Sequence, residues 1–421
     1  MLNLLYNFSI HSYSLIIKLL APFSSKAEFW VEGRKDIFSK LKLTIGEPNK
    51  SQKIAWFHCA SLGEFEQGRP VIEAFRAKYP AYKILVTFFS PSGYEVRKNY
   101  SGADFIFYLP ADTPNNVSQF IQIVQPKIVF FIKYEFWRNY LTELKKHQIP
   151  VISFSAIFRP NQLFFKPYGG FYRKVLQQFD HILVQNEVSY HLLENIGIQN
   201  ITLAGDTRFD RVKQIVDAKK EIQIAKDFKA NRQILMIGSA WQADMEVLIS
   251  FINSLLDLPN IAFVIAPHEI HRIEINTWQK QIHPKSICFS EVKPSTQLTD
   301  YQILIIDNIG MLSSLYQYAE YAYIGGSFGK GLHNILEAAT FGMPIVFGNK
   351  AYQKFQEATD LVRLEGAFTV GSSEDMMEVF LELEENPDKK LKAANTCKNY
   401  VLENIGATEK VMTVVASILN N

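Results

Sequence analysis

Two carboxylates stand just past apolar runs, where a strand hands the chain to a turn. Residues 54–60, IAWFHCA, read as a buried strand, and Ser61-Leu62-Gly63-Glu64 follows. Residues 127–132 read as another, and Glu135 follows within Lys133-Tyr134-Glu135-Phe136-Trp137. A carboxylate in such a place can take a proton from a substrate hydroxyl as a general base. S-x-x-E is equally a capping box, in which Ser61 caps a helix and Glu64 reaches back. Gly63, Gly68 and Pro70 oppose that reading. They predict a regular helix only from Pro70, which suits a first helical position, and leave Glu64 on an open turn. For Glu135 the alternative is a buried partner to a lysine or arginine.

A second candidate lies in residues 320–348, EYAYIGGSFGKGLHNILEAATFGMPIVFG. A short strand at 321–324 runs into Gly325, Gly326, Ser327, Gly329 and Gly331. A helix is predicted over 334–341 and a strand over 344–347. Glycines let an anion approach the backbone, and the first N–H groups of a helix lack partners within it. The spacing is neither a P-loop, because Leu332 and His333 follow Gly331, nor G-x-G-x-x-G, because Gly329-Lys330-Gly331 runs to Asn334. The bland alternative is a tight turn with glycines at positive φ. Glu337, in the first turns of the predicted helix, can accept from two ribose hydroxyls. Phosphate and ribose together describe a nucleotide-sugar site, as in the donor domains of GT-B glycosyltransferases.

The elements that must position these groups repeat as strand, turn, helix. Strands are predicted at 54–60, 83–89, 104–109, 127–132, 150–155, 181–185 and 200–204. Helices are predicted at 70–79, 114–125, 138–148, 172–179 and 187–196. After a charged stretch at 206–230, read as a linker, strands return at 233–238, 261–266, 285–289, 303–306, 321–324, 344–347 and 367–370. Apolar runs without alternation between helical runs predict parallel sheets covered on both faces. The expected fold is α/β: a Rossmann-like domain at 24–205, a second at 231–421, and a central cleft at strand carboxyl ends.

Residues 1–23 are rich in leucine and isoleucine, while Asn3, Asn7, His11, Ser14 and Lys18 fall on one helical stripe. That predicts an apolar helix lying at a membrane interface rather than spanning it. The alternative is a helix packed on its own domain. No basic n-region or small-residue cleavage site marks a removed signal peptide. Basic residues at Lys26, Arg34, Lys35, Lys40 and Lys42 favour anionic lipid of the cytoplasmic leaflet. Residues 158–175 interleave Arg159, Lys166, Arg173 and Lys174 with Phe158, Phe164, Phe165, Tyr168, Phe171 and Tyr172. Such a mix suits a phosphorylated glycolipid, single-stranded nucleic acid or a helix with a solvated face. The apolar N-terminus on the same domain favours lipid. A net charge of +2 over 421 residues gives no global basic field, and no nucleic-acid partner is expected. The three cysteines, Cys59, Cys288 and Cys397, lack any C-x-x-C and suit a reduced compartment. No D-x-D or H-E-x-x-H occurs, and His268 and His271 have no third ligand nearby in sequence. No metal is expected.

Several segments in order resemble the 3-deoxy-D-manno-octulosonic acid (Kdo) transferases. They are W-x-H-x-x-S-x-G-E ending at Glu64, the Val86-Thr87 and Ser92-Gly93 strand and turn, and G-G-S…G-x-H-N-x-L-E-A-A…G-x-P from Gly325. Others carry substitutions. Lys133 replaces the first acid of E-x-E-x-W, and Arg208 the lysine of G-N-x-K-F-D. His268 replaces the arginine of A-P-R, and Met311 the glutamate of D-x-x-G-E-L. The resemblance covers roughly residues 50–360 and implies a GT-B enzyme. CMP-Kdo would be the donor and a lipid A precursor the acceptor, with inverting transfer on the cytoplasmic face of the inner membrane. Glu64 would be the base and Glu135 would help arrange the transition state. Arg208 and the Asn334 helix N-terminus would stabilise the departing phosphate, with no cofactor. CMP would lie on Pro267, His268, Ile309, Gly310, Met311, Asn334, Ile335, Leu336 and Glu337, with backbone or apolar contacts from Ile309, Ile335 and Leu336. The substitutions bear most on the contacts of His268 and Met311. A nucleotide-sugar 2-epimerase of the same fold is the alternative enzyme. A two-lobed solute-binding protein is the alternative outside enzymes, and it would need an export signal.

Overall fold

The computed structural model describes residues 2–46, 52–218, 221–255, 258, 260–329 and 331–420. Lys330 of the glycine-rich segment therefore lies outside the described residues. The chain forms two compact units, residues 1–211 with 405–421, and residues 212–404.

Unit 1 holds seven parallel strands in the order β3-β2-β1-β4-β5-β6-β7. They are β1 (Lys53–Cys59), β2 (Tyr82–Phe88), β3 (Phe105–Tyr108), β4 (Ile128–Ile132), β5 (Val151–Ala156), β6 (His181–Val184) and β7 (Ile201–Leu203). Unit 2 has the order β10-β11-β9-β8-β12-β13-β14. Its strands are β8 (Gln233–Ala240), β9 (Ile261–Pro267), β10 (Ser286–Cys288), β11 (Ile303–Ile305), β12 (Tyr321–Ile324), β13 (Ile345–Gly348) and β14 (Ala367–Val370). Every residue of β4 and β12 is buried, as strands covered on both faces require. Trp56 of β1 packs its ring on Phe120, Phe131 and Tyr140 at centroid distances of 4.9, 5.5 and 5.5 Å. Truncating one such ring to alanine costs ~3–5 kcal/mol.

Four expectations are corrected. The helix after β1 runs Leu62–Lys78 and begins eight residues before Pro70. Its glycine at 68 serves packing: a Cβ there would meet Ile132 Cγ1 at 3.3 Å and Cys59 Sγ at 3.6 Å. Pro70 inside the helix forfeits one backbone bond and is tolerated. The stretch read as a linker carries helices Thr207–Ala218 and Gln223–Lys229. Its side chains pair along helix faces, as in the ion pair Lys213–Asp217 and in Gln223 donating to Asp227 at 2.7 Å. The last helix, Ala407–Leu419, belongs to unit 1, because Val411, Met412 and Val415 bury themselves in the core that holds Phe57, Val71 and Phe75. Asp210 fixes its start by accepting from Gly406 N, Thr408 N and Thr408 Oγ1, each at 2.6 Å. The helix expected over 334–341 is only Leu336–Ala339. Gly342, at φ +74°, ends the turn that follows it.

A helix occupies Leu2–Leu20, and none of its residues is buried. Tyr6 donates to Asp112 at 2.6 Å, and Asn139 Nδ2 donates to Asn7 at 2.8 Å, so a partly polar side meets unit 1. Leu4, Leu5, Phe8, Leu15, Ile16 and Leu19 are all more than half exposed. Among the described residues no helix is long and apolar enough to cross a membrane.

Candidate active site

In a doubly wound sheet, ligand-handling groups collect at strand carboxyl ends where the strand order reverses. In unit 1 that point lies between β1 and β4, because β2 flanks β1 on one side and β4 on the other. Glu64 follows β1 and Glu135 follows β4. Two segments seventy residues apart in sequence therefore share one end of neighbouring strands.

Glu64 is the third residue of the helix Leu62–Lys78 and is half-buried. Ser61 donates its hydroxyl to Glu64 Oε2 and makes no side-chain cap to the helix backbone. The capping-box geometry is absent, so Glu64 stands in a first helical turn held by a serine. Glu135 is buried at 8% exposure. Its Oε2 lies 3.0 Å from His58 Nε2 and accepts from Trp137 Nε1 at 2.5 Å. His58 Nδ1 sits 2.9 Å from Thr87 Oγ1 and 3.1 Å from the Thr87 carbonyl, while Trp56 Nε1 donates to the same hydroxyl at 2.7 Å. The chain Trp56–Thr87–His58–Glu135–Trp137 thus aims one carboxylate through buried contacts. Burial first, and then the carboxylates of Glu64, Glu135 and Glu66, push the Cys59 thiol well above its ordinary range. That thiol stays protonated and is no nucleophile.

The segment Gly205–Asp210 is knitted into the same unit. Thr207 Oγ1 donates to Gln67 O at 2.5 Å and lies 2.8 Å from Ser155 Oγ. Arg208 pairs with Asp206 through Nε and Nη2, both at 2.8 Å. Burial alone would raise the Asp206 carboxyl. The Arg208 charge and bonds from Arg208 N–H and Gln67 reverse that and hold it below the usual range. Arg208 accordingly comes with its charge largely offset.

In unit 2 the reversal lies between β8 and β12. Gly325 and Gly326 follow β12 but leave no open cradle. A Cβ on Gly325 would lie 2.3 Å from Ser239 O, and one on Gly326 2.4 Å from Gly331 O. Asp244 accepts from Gly326 N and Trp241 N, each at 2.9 Å, and ties the loops after β8 and β12 together. Pro267 ends β9, and His268 N donates to Ala240 O at 3.0 Å. The His268 ring stacks on Trp241 and on His333 at 4.4 and 4.0 Å. Trp241 Nε1 donates to His333 Nε2 at 2.7 Å, so that nitrogen is the acceptor and the ring carries its proton on Nδ1. Burial, and then His268, push His333 down to about 4.

Asn334 Oδ1 accepts from Leu336 N at 3.2 Å, and its Nδ2 donates to Glu337 at 3.1 Å. Glu337 is half-buried and is the charge that, after burial, raises the Tyr316 hydroxyl. Ile335 and Leu336 are fully buried, backbone and side chain alike, and the contacts expected of them are not open to a ligand in this structure. Ile309 is 89% exposed and Gly310 has φ +94°. Beyond Met311 the chain returns over β8, where a Cβ on Gly238 would strike Tyr316 Oη and lie 3.4 Å from Leu312 Cδ1. The segment 158–175 divides. Phe158 and Phe164 are buried, and Arg173 folds the loop by donating to Phe164 O and Lys166 O at 3.1 and 2.9 Å. Tyr168 is exposed. His58, Trp137, Trp241 and His333 escaped the sequence reading as site residues. The signal for the first two lay within the quoted W-x-H and E-x-W motifs.

Residues 35–211 match the family described as Glycos_transf_N, 3-deoxy-D-manno-octulosonic-acid transferase (kdotransferase). A 3-deoxy-D-manno-octulosonic acid transferase of Haemophilus influenzae is 25% identical over 378 residues, covering 86% of this chain and 87% of that protein. One of Aquifex aeolicus is 23% identical over 333 residues, covering 78% and 85%. Among solved structures, a UDP-GlcNAc 2-epimerase of Neisseria meningitidis superposes with TM-score 0.62 at 17% identity, covering 88% of this chain and all of that one. A glycosyltransferase of Rickettsia africae superposes at 0.57 and 13% identity, covering 88% and 99%. At such identities the structural likenesses speak for the fold alone.

Proposed function

We propose that this chain, a homologue of the 3-deoxy-D-manno-octulosonic acid transferases, moves Kdo from CMP-Kdo to a lipid A precursor in lipopolysaccharide biosynthesis. The observation that carries the reading is that Glu64 and Glu135 follow the two neighbouring strands at the strand-order reversal of unit 1, inside the stretch matched to that family. Glu64 takes the proton from the attacking sugar hydroxyl, the new ketosidic bond forms with inversion, and CMP departs with the bonding electron pair. Glu135, fixed by His58 and Trp137, steadies the oxocarbenium-like charge on the sugar. CMP lies against Pro267, His268, the turn Ile309-Gly310-Met311 and the segment from Asn334 to Glu337, whose carboxylate accepts from the ribose. Arg208 contributes only the charge that Asp206 leaves it.

The exposed leucine and phenylalanine rows of the N-terminal helix support a place at the membrane surface, and the basic residues Lys26, Arg34, Lys35, Lys40 and Lys42 favour its cytoplasmic leaflet.

The test is transfer of labelled Kdo from CMP-Kdo, generated in situ, to a tetra-acylated lipid A precursor, with a chelation arm to ask whether a divalent metal takes part. Glu64→Gln is expected to lose ~10² to 10⁴ in rate. Retained activity would move the base to Glu135. No transfer by folded wild type would favour another nucleotide sugar and reopen the 2-epimerase reading.

A further inference from the structure

The helix that follows Glu135 has no cap of its own. It runs Arg138–Lys146 and starts from Trp137, whose side chain makes no bond to the helix backbone. The first N–H groups of a helix have no partners within it. Here those of Arg138, Asn139 and Tyr140 are met by distant parts of unit 1. Asp112 accepts from Asn139 N at 3.1 Å and from Tyr140 N at 2.9 Å. Arg138 N donates to the Tyr6 hydroxyl at 3.3 Å, and that hydroxyl donates to Asp112 at 2.6 Å. Asn139 Nδ2 donates to Asn7 at 2.8 Å and to Asp112 O at 2.6 Å. Burial, and then Asp112, push the Tyr6 hydroxyl far above its ordinary range, so it keeps the proton it donates.

A second contact reaches the same place. Tyr13 stacks on Phe89 at a centroid distance of 6.0 Å, and Phe89 lies 4.9 Å from the Trp137 ring. Trp137 is the residue whose indole N–H Glu135 accepts. The helix Leu2–Leu20 thus braces Trp137 twice, at its following backbone through Tyr6 and at its ring through Tyr13, while its leucine rows stay exposed. Both tyrosines lie before the stretch 35–211 matched to the transferase family. A helix that served only to touch a membrane would not need to cap the element next to the buried carboxylate.

We propose that Tyr6 is a positioning residue: it caps the helix Arg138–Lys146 from outside and so fixes the Trp137 indole against Glu135. The assignment rests on the role given to Glu135 above. The test is a double-mutant cycle on the full chain, reading kcat for transfer from saturating CMP-Kdo to a tetra-acylated lipid A precursor dispersed in detergent, so that membrane docking does not enter. Tyr6→Phe keeps the ring, with its contact to Phe171 at 6.3 Å, and removes only the hydroxyl. It is expected to lower kcat ~5-fold, the typical energy of one helix cap expressed as a rate, with KM for CMP-Kdo unchanged. In the Trp137→Phe background no indole N–H is left to aim, and the same change should cost less than ~2-fold. A kcat within about 2-fold of wild type in Tyr6→Phe overturns the proposal, whatever its urea midpoint, and marks a purely structural cap. Losses that multiply in the double variant overturn it too, because Tyr6 would then act apart from Trp137. A rise in KM alone would place Tyr6 in substrate binding and also overturn it. A slow Trp137→Phe beside a normal Tyr6→Phe sinks this assignment alone, whereas Trp137→Phe at the wild-type rate sinks the role of Glu135 on which it stands. Folded wild type that transfers nothing sinks the transferase reading itself.

Discussion

Replacing Trp137 by phenylalanine isolates the contribution of one hydrogen bond to the buried carboxylate of unit 1. The ring would survive the change, since Trp137 packs on Phe89 at a centroid distance of 4.9 Å and a benzene ring can take that place. What vanishes is the indole N–H that Glu135 accepts at 2.5 Å. His58 Nε2, 3.0 Å away, would be the remaining side-chain contact in the network. A hydrogen bond to a charged group is worth about 1.5–3 kcal/mol, and Glu135 is too enclosed for water to replace it fully. If Glu135 steadies charge in the transition state, kcat should fall by about 10- to 160-fold, the same energy expressed as a rate. KM for CMP-Kdo should change little, because the lost contact lies in unit 1. Saturating transfer assays and a urea titration of the same protein give both readouts. A midpoint lowered by the expected energy with kcat within twofold of wild type would refute the reasoning. Glu135 would then be a structural acid whose network holds β1 to β4 and does nothing to the reaction.

Acid should weaken unit 1 through Asp206. Its folded pKa lies below the ordinary value, so the Arg208 pairing adds stability above the unfolded pKa of ~3.9 and loses it as pH falls through the folded value. The urea midpoint should drop below about pH 4 in wild type, and Asp206→Asn should flatten that limb. An unchanged acid limb in the variant would assign the drop to other carboxylates. At the N-terminus, changing Leu4, Phe8, Leu15 and Leu19 to glutamine alters side chains at least half exposed. Partition onto vesicles of anionic phospholipid should fall on the order of 100-fold, from the apolar area removed. Equal flotation of both proteins would remove this helix from any membrane role.

The strands were legible because parallel strands buried on both faces leave uninterrupted apolar runs. The observed β1, β4 and β12 differ from the sequence reading by at most a residue or so at each end. The helix after β1 was misread because Gly68 and Pro70 look like breakers when their neighbours are unknown. In the fold, Gly68 is the point where the helix presses on Ile132. The last helix was assigned to the wrong unit because its amphipathic pattern says that it packs, not on which sheet. The paired side chains were harder still. Trp241 and His333 are ninety-two residues apart and meet only because β8 and β12 are neighbours across the reversal.

Backbone strain lies at or beside both reversal points, among other places in the chain. Lys133, Ser155 and Ser239 have φ of +70°, +50° and +54°, and none is glycine. They sit at or just past the carboxyl ends of β4, β5 and β8. At Ser155 and Ser239 the ladder also slips register, between Ser153 and Ala156 and between Ile237 and Ala240. Each such residue costs about 1–3 kcal/mol and persists only where its surroundings hold it. Those surroundings are visible. Ser155 lies against Thr207, whose hydroxyl is bound to Gln67, and Ser239 abuts Gly325 beside the Asp244 network. A strand that merely ended would release this strain into a loop. Here Glu135, two residues after Lys133, meets His58, and Trp241, two residues after Ser239, meets His333. Lys133 and Ser239 thus lie at the ends of the reversal strands β4 and β8, while Ser155 and both register slips lie in the adjoining pairs β5 with β6 and β8 with β9. That shared position is a physical reason, beyond the sequence motifs, to place the chemistry there.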